Sequence, residues 1–205
     1  MLFRSRVRAY AAGLATPVMF ALLGESAPDL TAAVEEVLRA SGRPTPVSWP
    51  RWLPTDPRSA PAGGPVRGLF AGGTLRDEAR LIADAAGVPH VMTDFGDDRL
   101  TAGRPHPMID GSLRIEALAR ETAGVVLLDV VLGHAADPDP AARLAPPLAS
   151  AADRDLVTVV SLIGTAGDPQ GLTRQAAALR DAGAAVFASN AEAARYAVAA
   201  AKETS

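Results

Sequence analysis

Gly72-Gly73-Thr74 closes an apolar run and opens a helical pattern. Two small residues, a hydroxyl and a helix start with no acid before Asp77 leave backbone amides free to meet an anion, and the helix dipole favours one. The same residues also describe a plain helix start, with Thr74 capping the Asp77 amide while Asp77 reaches back. A second cluster is Arg104-Pro105-His106-Pro107-Met108-Ile109-Asp110. Two prolines stiffen His106, Asp110 is placed to cap the helix carrying Leu113 and Leu118, and Arg114 lies one turn in. A rigid histidine beside an arginine suits anion binding or acid–base work, with His106 and Arg114 as the catalytic candidates. The bland alternative is a stiff loop with solvated charges.

Gly164-Thr165-Ala166-Gly167-Asp168-Pro169 and Gly133-His134-Ala135-Ala136-Asp137-Pro138 share one pattern, Gly-x-Ala-x-Asp-Pro. The aspartate is expected to cap a helix and the proline to occupy its first position. A capping carboxylate repels phosphate, so Gly164 and Thr165 are expected to line a ligand pocket while Gly72, Gly73 and Thr74 form its cradle. His90, after Pro89, is expected to be structural, and Glu25, after Gly24, a surface residue.

The elements that must position these loops alternate. Strand-like runs cover 17–23, 66–71, 88–92, 124–132, 156–163 and 184–188, with helical patterns between them. This predicts an α/β fold, an open parallel sheet with helices on both faces. In such a sheet ligands bind outside the carboxyl ends of the strands. Leu30, Val34, Val37 and Leu38 mark one helix; Leu75, Ala79 and Ile82 mark another that stops at Gly87; the last two are expected over 169–182 and 190–202. Pro50, Pro54, Pro57, Pro61 and Pro65 deny residues 50–65 a helix or an interior strand. The expected division is a βα piece at 1–49, a linker at 50–65 and an α/β domain at 66–205.

Composition narrows the partners. Lys+Arg 20 against Asp+Glu 23, interspersed, leaves no basic stripe for nucleic acid. With no cysteine there are no disulfides or thiolate sites, which fits a cytoplasmic protein. His90, His106 and His134 share no metal-ligand spacing, so no metal is expected. Arg4, Arg6 and Arg8 before an apolar run imitate a signal peptide, but Gly13, Thr16 and Pro17 split that run. A helix tail, a turn and a buried strand are expected there, and no membrane span. Aromatic residues at 4% argue against a flavin.

Taken together, GLFAGGTLRDEA (68–79), HPMID with Leu113-Arg114, VVLLDVVLG with PDPAA (125–142) and VVSLIGTAGDPQGL (159–172) resemble the FdrA family of acyl-CoA synthetase-like proteins. That family is similar to the succinyl-CoA ligase α subunit and to ADP-forming acyl-CoA synthetases. The resemblance runs strongly over 66–195 and loosely over 7–49. It implies a flavodoxin-like ligase domain that normally follows a CoA-binding Rossmann domain, which makes 1–49 look like the end of a truncated earlier domain. Gly72-Gly73-Thr74-Leu75 matches the family's Ser-Gly-Thr-Leu loop. Succinyl-CoA ligases phosphorylate a histidine in a Gly-His-Ala-Gly loop, and here Thr165 stands in that place. Threonine is no substitute phosphate relay, because its hydroxyl is a weak nucleophile at neutral pH. Where those ligases carry a glutamate in Glu-Ile-Gly-Gly, this chain has Val131-Leu132-Gly133. Gly133-His134-Ala135-Ala136 imitates the phosphohistidine loop one strand too early.

The resemblance also links the chain to oxamate carbamoyltransferase complexes of purine degradation. It implies a subunit, joined by another subunit or a second copy, that handles CoA or an acyl or carbamoyl phosphate. A non-catalytic docking subunit and a nucleotide-binding module are the competing readings.

Overall fold

The structure is a computed structural model that describes residues 2–25, 27–55, 64–154 and 156–202. Ser26 and residues 56–63 of the expected linker lie outside the described residues. The chain forms two compact units, Met1–Thr45 and Pro46–Ser205.

The first unit holds α1 (Leu2–Ala12) and α2 (Leu30–Ala40). Asp29 caps α2 by accepting the Ala32 amide at 2.8 Å. Residues 17–23, expected as a buried strand, belong to no strand, and Val18 and Met19 are exposed. An apolar run becomes a strand only where a neighbour takes its N–H and C=O groups, and no strand is described in this unit. The segment instead packs on α2: Met19, Phe20, Ala33, Val34, Val37 and Leu38 line a groove of about 190 Å³.

The second unit is the α/β domain. Its elements run β1 (Arg51–Trp52), β2 (Val66–Phe70), α3 (Gly73–Ala86), β3 (His90–Asp94), the short α4 (Asp98–Thr101), α5 (Ser112–Arg120), β4 (Gly124–Val131), α6 (Pro140–Ala152), β5 (Leu156–Ile163), α7 (Leu172–Asp181), β6 (Ala185–Phe187) and α8 (Asn190–Lys202). The six strands form one sheet in the order β1-β6-β5-β4-β2-β3. β2 to β6 are parallel, and β1 pairs antiparallel with β6 at the edge. Without β1 the order is the flavodoxin-like 2-1-3-4-5, whose topological switch point lies between the first and third strands, here β2 and β4. β1 comes from the proline-rich stretch, and it takes the edge place that prolines leave open.

β4 and β5 are buried on both faces, as their unbroken Val/Leu runs require. Val125, Leu127, Val157 and Val159 face a core shared with Ala193, Ala194 and Ala197 of α8. Val126, Leu128, Val160 and Leu162 face Leu118, Leu144, Leu148 and Leu179. β3 starts at His90 rather than at the expected residue 88. The Val88 amide is spent on the Ala83 carbonyl, closing α3 behind Gly87 at φ +66, and Pro89 has no amide to give.

The helix starts differ from expectation. Thr74 does not cap α3; its N-cap is Gly72, with no side-chain hydrogen bond. α6 is capped by Asp139 with Pro140 behind it, two residues later than the Asp137-Pro138 pair. Asp137 instead accepts the Asp139 amide at 3.0 Å. α7 starts at Leu172 after Gly171 at φ +73, while Asp168 folds back onto the Thr165 amide at 2.5 Å. Asp-Pro serves a tight turn as well as it serves a cap. The N-cap of α5 is Gly111, and Asp110 holds the Ser112 amide one residue earlier.

Asp139 carries a testable pH dependence. Hydrogen bonds from Gln175 and Arg174, with a further one from the Ala142 amide, hold its carboxyl below the ordinary value of 3.8. A carboxyl lowered by folding adds stability that is complete above its unfolded pKa and is lost as pH falls through its folded one. The stability gap between wild type and Asp139→Asn should therefore be constant above about pH 5 and shrink in more acidic buffer, as followed by urea unfolding at each pH. A gap that widens in acid would reverse the assignment.

Candidate functional site

The carboxyl ends of β2, β3 and β4 bring four segments together. β2 runs into Ala71 and the Gly72–Thr74 start of α3; β3 runs through Asp94 to Gly96; the 105–110 loop carries His106; and β4 brings Asp129. Gly96 shows how close they are. A Cβ there would lie 2.4 Å from the Ala71 carbonyl oxygen, 2.8 Å from His106 Nε2 and 3.1 Å from Asp94 Oδ1. A Cβ on Gly73 would lie 3.0 Å from Asp94 Oδ2. His106, Asp94 and the start of α3 thus converge around Gly96, beside the switch point.

The N-cap of α3 makes no side-chain hydrogen bond, so no side chain caps its first-turn amides. His106 Nδ1 accepts the Met108 amide at 3.3 Å, which leaves the proton of the neutral ring on Nε2, as a donor. Asp94 Oδ1 accepts the Gly96 amide at 2.8 Å. Amides and imidazole offer donors to an anionic oxygen, and Asp94 offers an acceptor to an N–H or O–H of the same ligand.

Gly96→Ala tests this convergence. The new methyl group meets backbone at Ala71 and must push it or His106 aside. The expected cost is roughly 1–3 kcal/mol, with a displaced His106 ring. Urea unfolding and the His106 ring resonances report both, and an unperturbed variant would show that the segments are not in contact.

Arg114 stands behind this cluster. It is buried; Nη1 donates to the Asp129 carbonyl at 2.6 Å and to its carboxylate at 2.9 Å, and Nη2 donates to the Pro107 carbonyl at 3.3 Å. Asp129 in turn accepts the Ala71 amide at 2.7 Å. This ion pair therefore ties the His106 loop to the Gly72 loop. Burial pushes the Asp129 carboxyl up and the Arg114 guanidinium down, and their mutual attraction opposes both. With its carboxylate partner fixed inside the fold, Arg114 is placed to position other groups rather than to hold a free anion.

Gly164 and Thr165 lie beyond β5. A Cβ on Gly164 would lie 2.9 Å from Leu132 Cδ1, so the loop hugs the end of β4. The side chain of Thr165 is exposed and accepts the Gly167 amide, while its own amide is taken by Asp168. No described contact joins this loop to His106 or to the start of α3. His134 is exposed, and Gln170 brackets the preceding Gly133, accepting its N–H at 3.2 Å and donating to its carbonyl at 2.7 Å. His90 braces its own turn, with Nδ1 2.9 Å from the Val88 carbonyl. Sequence reasoning missed Gly96, Gln170 and the role of Asp129; an aspartate inside VVLLDVVL is the signal that a buried partner must exist.

Among the described residues no group of His, Asp and Glu could hold a metal ion, and no helix is long and apolar enough to cross a membrane.

The strand order and the helices on both faces define a flavodoxin-like α/β domain, with its candidate site beside the switch point of the sheet. The CoA-ligase family model matches residues 69–200, and the chain belongs to that family. It is also 33% identical over 156 residues to the uncharacterized protein YahF of Escherichia coli (strain K12), covering 61% of this chain and 30% of YahF. The match thus spans less than a third of that relative's length.

Proposed function

We propose that the second unit holds a carbamoyl or acyl phosphate without covalent attachment, as one subunit of a larger enzyme. The observation that carries this reading is the meeting of the uncapped start of α3, His106 Nε2 and Asp94 around Gly96. Phosphate oxygens take the amides of residues after Gly72, and the carbonyl oxygen takes the His106 N–H. That donor strengthens as charge grows on the oxygen while the acceptor's amide nitrogen bonds to the carbonyl carbon; the C–O bond to phosphate then breaks, phosphate leaves, and the nitrogen's proton passes to solvent. Asp94 favours the carbamoyl compound, whose amino group donates to the carboxylate. The resemblance to the FdrA family supports the same choice, with oxamate carbamoyltransferase as the activity of the assembly. With Thr165 in the place of the histidine, this reading has no phosphohistidine step at the 164–167 loop.

Calorimetric titration with inorganic phosphate, acetyl phosphate, carbamoyl phosphate and CoA tests this. Carbamoyl phosphate should bind best, and His106→Leu should weaken it roughly two- to tenfold, the worth of one hydrogen bond to a neutral carbonyl oxygen. Equal binding by wild type and variant would remove His106 from the site. A non-catalytic docking subunit is the second reading, favoured by the exposed Val34 and Val37 of α2. It takes precedence if none of the four compounds binds.

A further inference from the structure

The sequence offers Arg114 as the cation of the site, but Asp129 holds that side chain inside the fold. Arg76 is an arginine that reaches the same cluster with its head still open to solvent, its side chain being 32% exposed. It lies one turn into α3, and helical side chains lean toward the helix N-terminus. The lean is visible at Gly73. A Cβ there would lie 3.5 Å from Arg76 Nη2 and 3.0 Å from Asp94 Oδ2. The guanidinium thus occupies the flank of the first turn that glycine leaves bare, close to a member of the cluster. Its charge also reaches the loop after β3. Arg99 chiefly holds the Asp97 carboxyl below the usual range, and Arg76 adds to that pull.

A cation folded back on a helix start is opposed by the helix dipole. Asp77 Oδ1, 3.0 Å from Nη2, offsets part of that, but both partners are open to solvent and such a pair is weak. An anion on the first-turn amides would offset the dipole and the guanidinium together. Nη2 carries two N–H groups, so the pair with Asp77 leaves one for that anion. The anion needs this cation in turn. The carboxylates of Asp77, Asp94 and Asp97 all lie near Arg76 and would otherwise repel it.

We propose that Arg76 binds the phosphoryl end of the ligand and makes the site select a phosphorylated compound over an unphosphorylated one. The inference rests on the reading of the site given under Proposed function, and divides the ligand between two residues. His106 meets the carbonyl oxygen, and Arg76 joins the first-turn amides on the phosphoryl oxygens.

Calorimetric titration of wild type, Arg76→Gln and Arg76→Lys with carbamoyl phosphate and with inorganic phosphate tests this. Arg76→Gln should weaken both compounds by the same factor, roughly ten- to a hundredfold, as befits a charge-assisted hydrogen bond. Arg76→Lys keeps the charge without the fork and should recover part of the loss. His106→Leu should instead weaken carbamoyl phosphate more than inorganic phosphate. The melting temperature of Arg76→Gln should stay near that of wild type, because its exposed pair with Asp77 contributes little to the fold. Undiminished binding of either compound by Arg76→Gln overturns this inference and leaves the site itself standing. A wild type that binds neither compound overturns the reading of the site, and this inference with it.

Discussion

Arg114→Ala costs the second unit roughly 3–5 kcal/mol, because it strands the Asp129 carboxylate in the core. At roughly 2–4 °C per kcal/mol for a chain of this size, the unit should melt some 6–20 °C lower. The loss is not the worth of the ion pair itself. Taking two charges out of water costs nearly what their attraction returns, so Arg114→Met with Asp129→Leu should recover most of the stability. The double variant would still lose the grip of Asp129 on the Ala71 amide and of Arg114 on the Pro107 carbonyl. It should therefore fold well and bind its ligand poorly, separating the two roles of the pair. Calorimetric melting and ligand titration of both variants measure this. A double variant as unstable as the single one would mean that the pair contributes stability outright.

Gly72→Asp should weaken anion binding at least tenfold while leaving the fold intact. A Cβ at Gly72 meets nothing within 4 Å, and its φ of −162 is open to any residue. The new carboxylate takes the amides that an anion would use and cancels the field of the helix start. Replacing glycine by aspartate at an N-cap changes stability by only a few tenths of a kcal/mol, since both are accepted there. Phosphate or carbamoyl phosphate should then bind at least tenfold more weakly with the melting temperature almost unchanged. Undiminished binding by this variant would move the site away from α3.

Much of the fold is legible in the chain. The runs at 124–132 and 156–163 announce strands covered on both faces, and Gly87 marks the end of α3. Residues 17–23 mislead because hydrophobicity records a preference for burial and says nothing of a hydrogen-bonding neighbour. Asp137-Pro138 and Asp168-Pro169 mislead because the same dipeptide closes a turn or caps a helix, and only the space beyond it decides. The candidate site is harder. Gly72 and His106 stand out singly by their loop chemistry. Their meeting across Gly96 follows from strand order, which no local pattern encodes. Arg114 is visible as a charge near a histidine, but its buried partner is one aspartate in an apolar run.

α8 closes the core that faces α3. Its Ala193, Ala194 and Ala197 cover Val125, Leu127, Val157 and Val159 of the two central strands. Those strands leave the ribosome well before the helix that shields them, and a chain made at about 5–20 residues per second shows one greasy face for several seconds. Chaperone capture during synthesis, and insolubility on trimming α8 away, follow from that order of emergence.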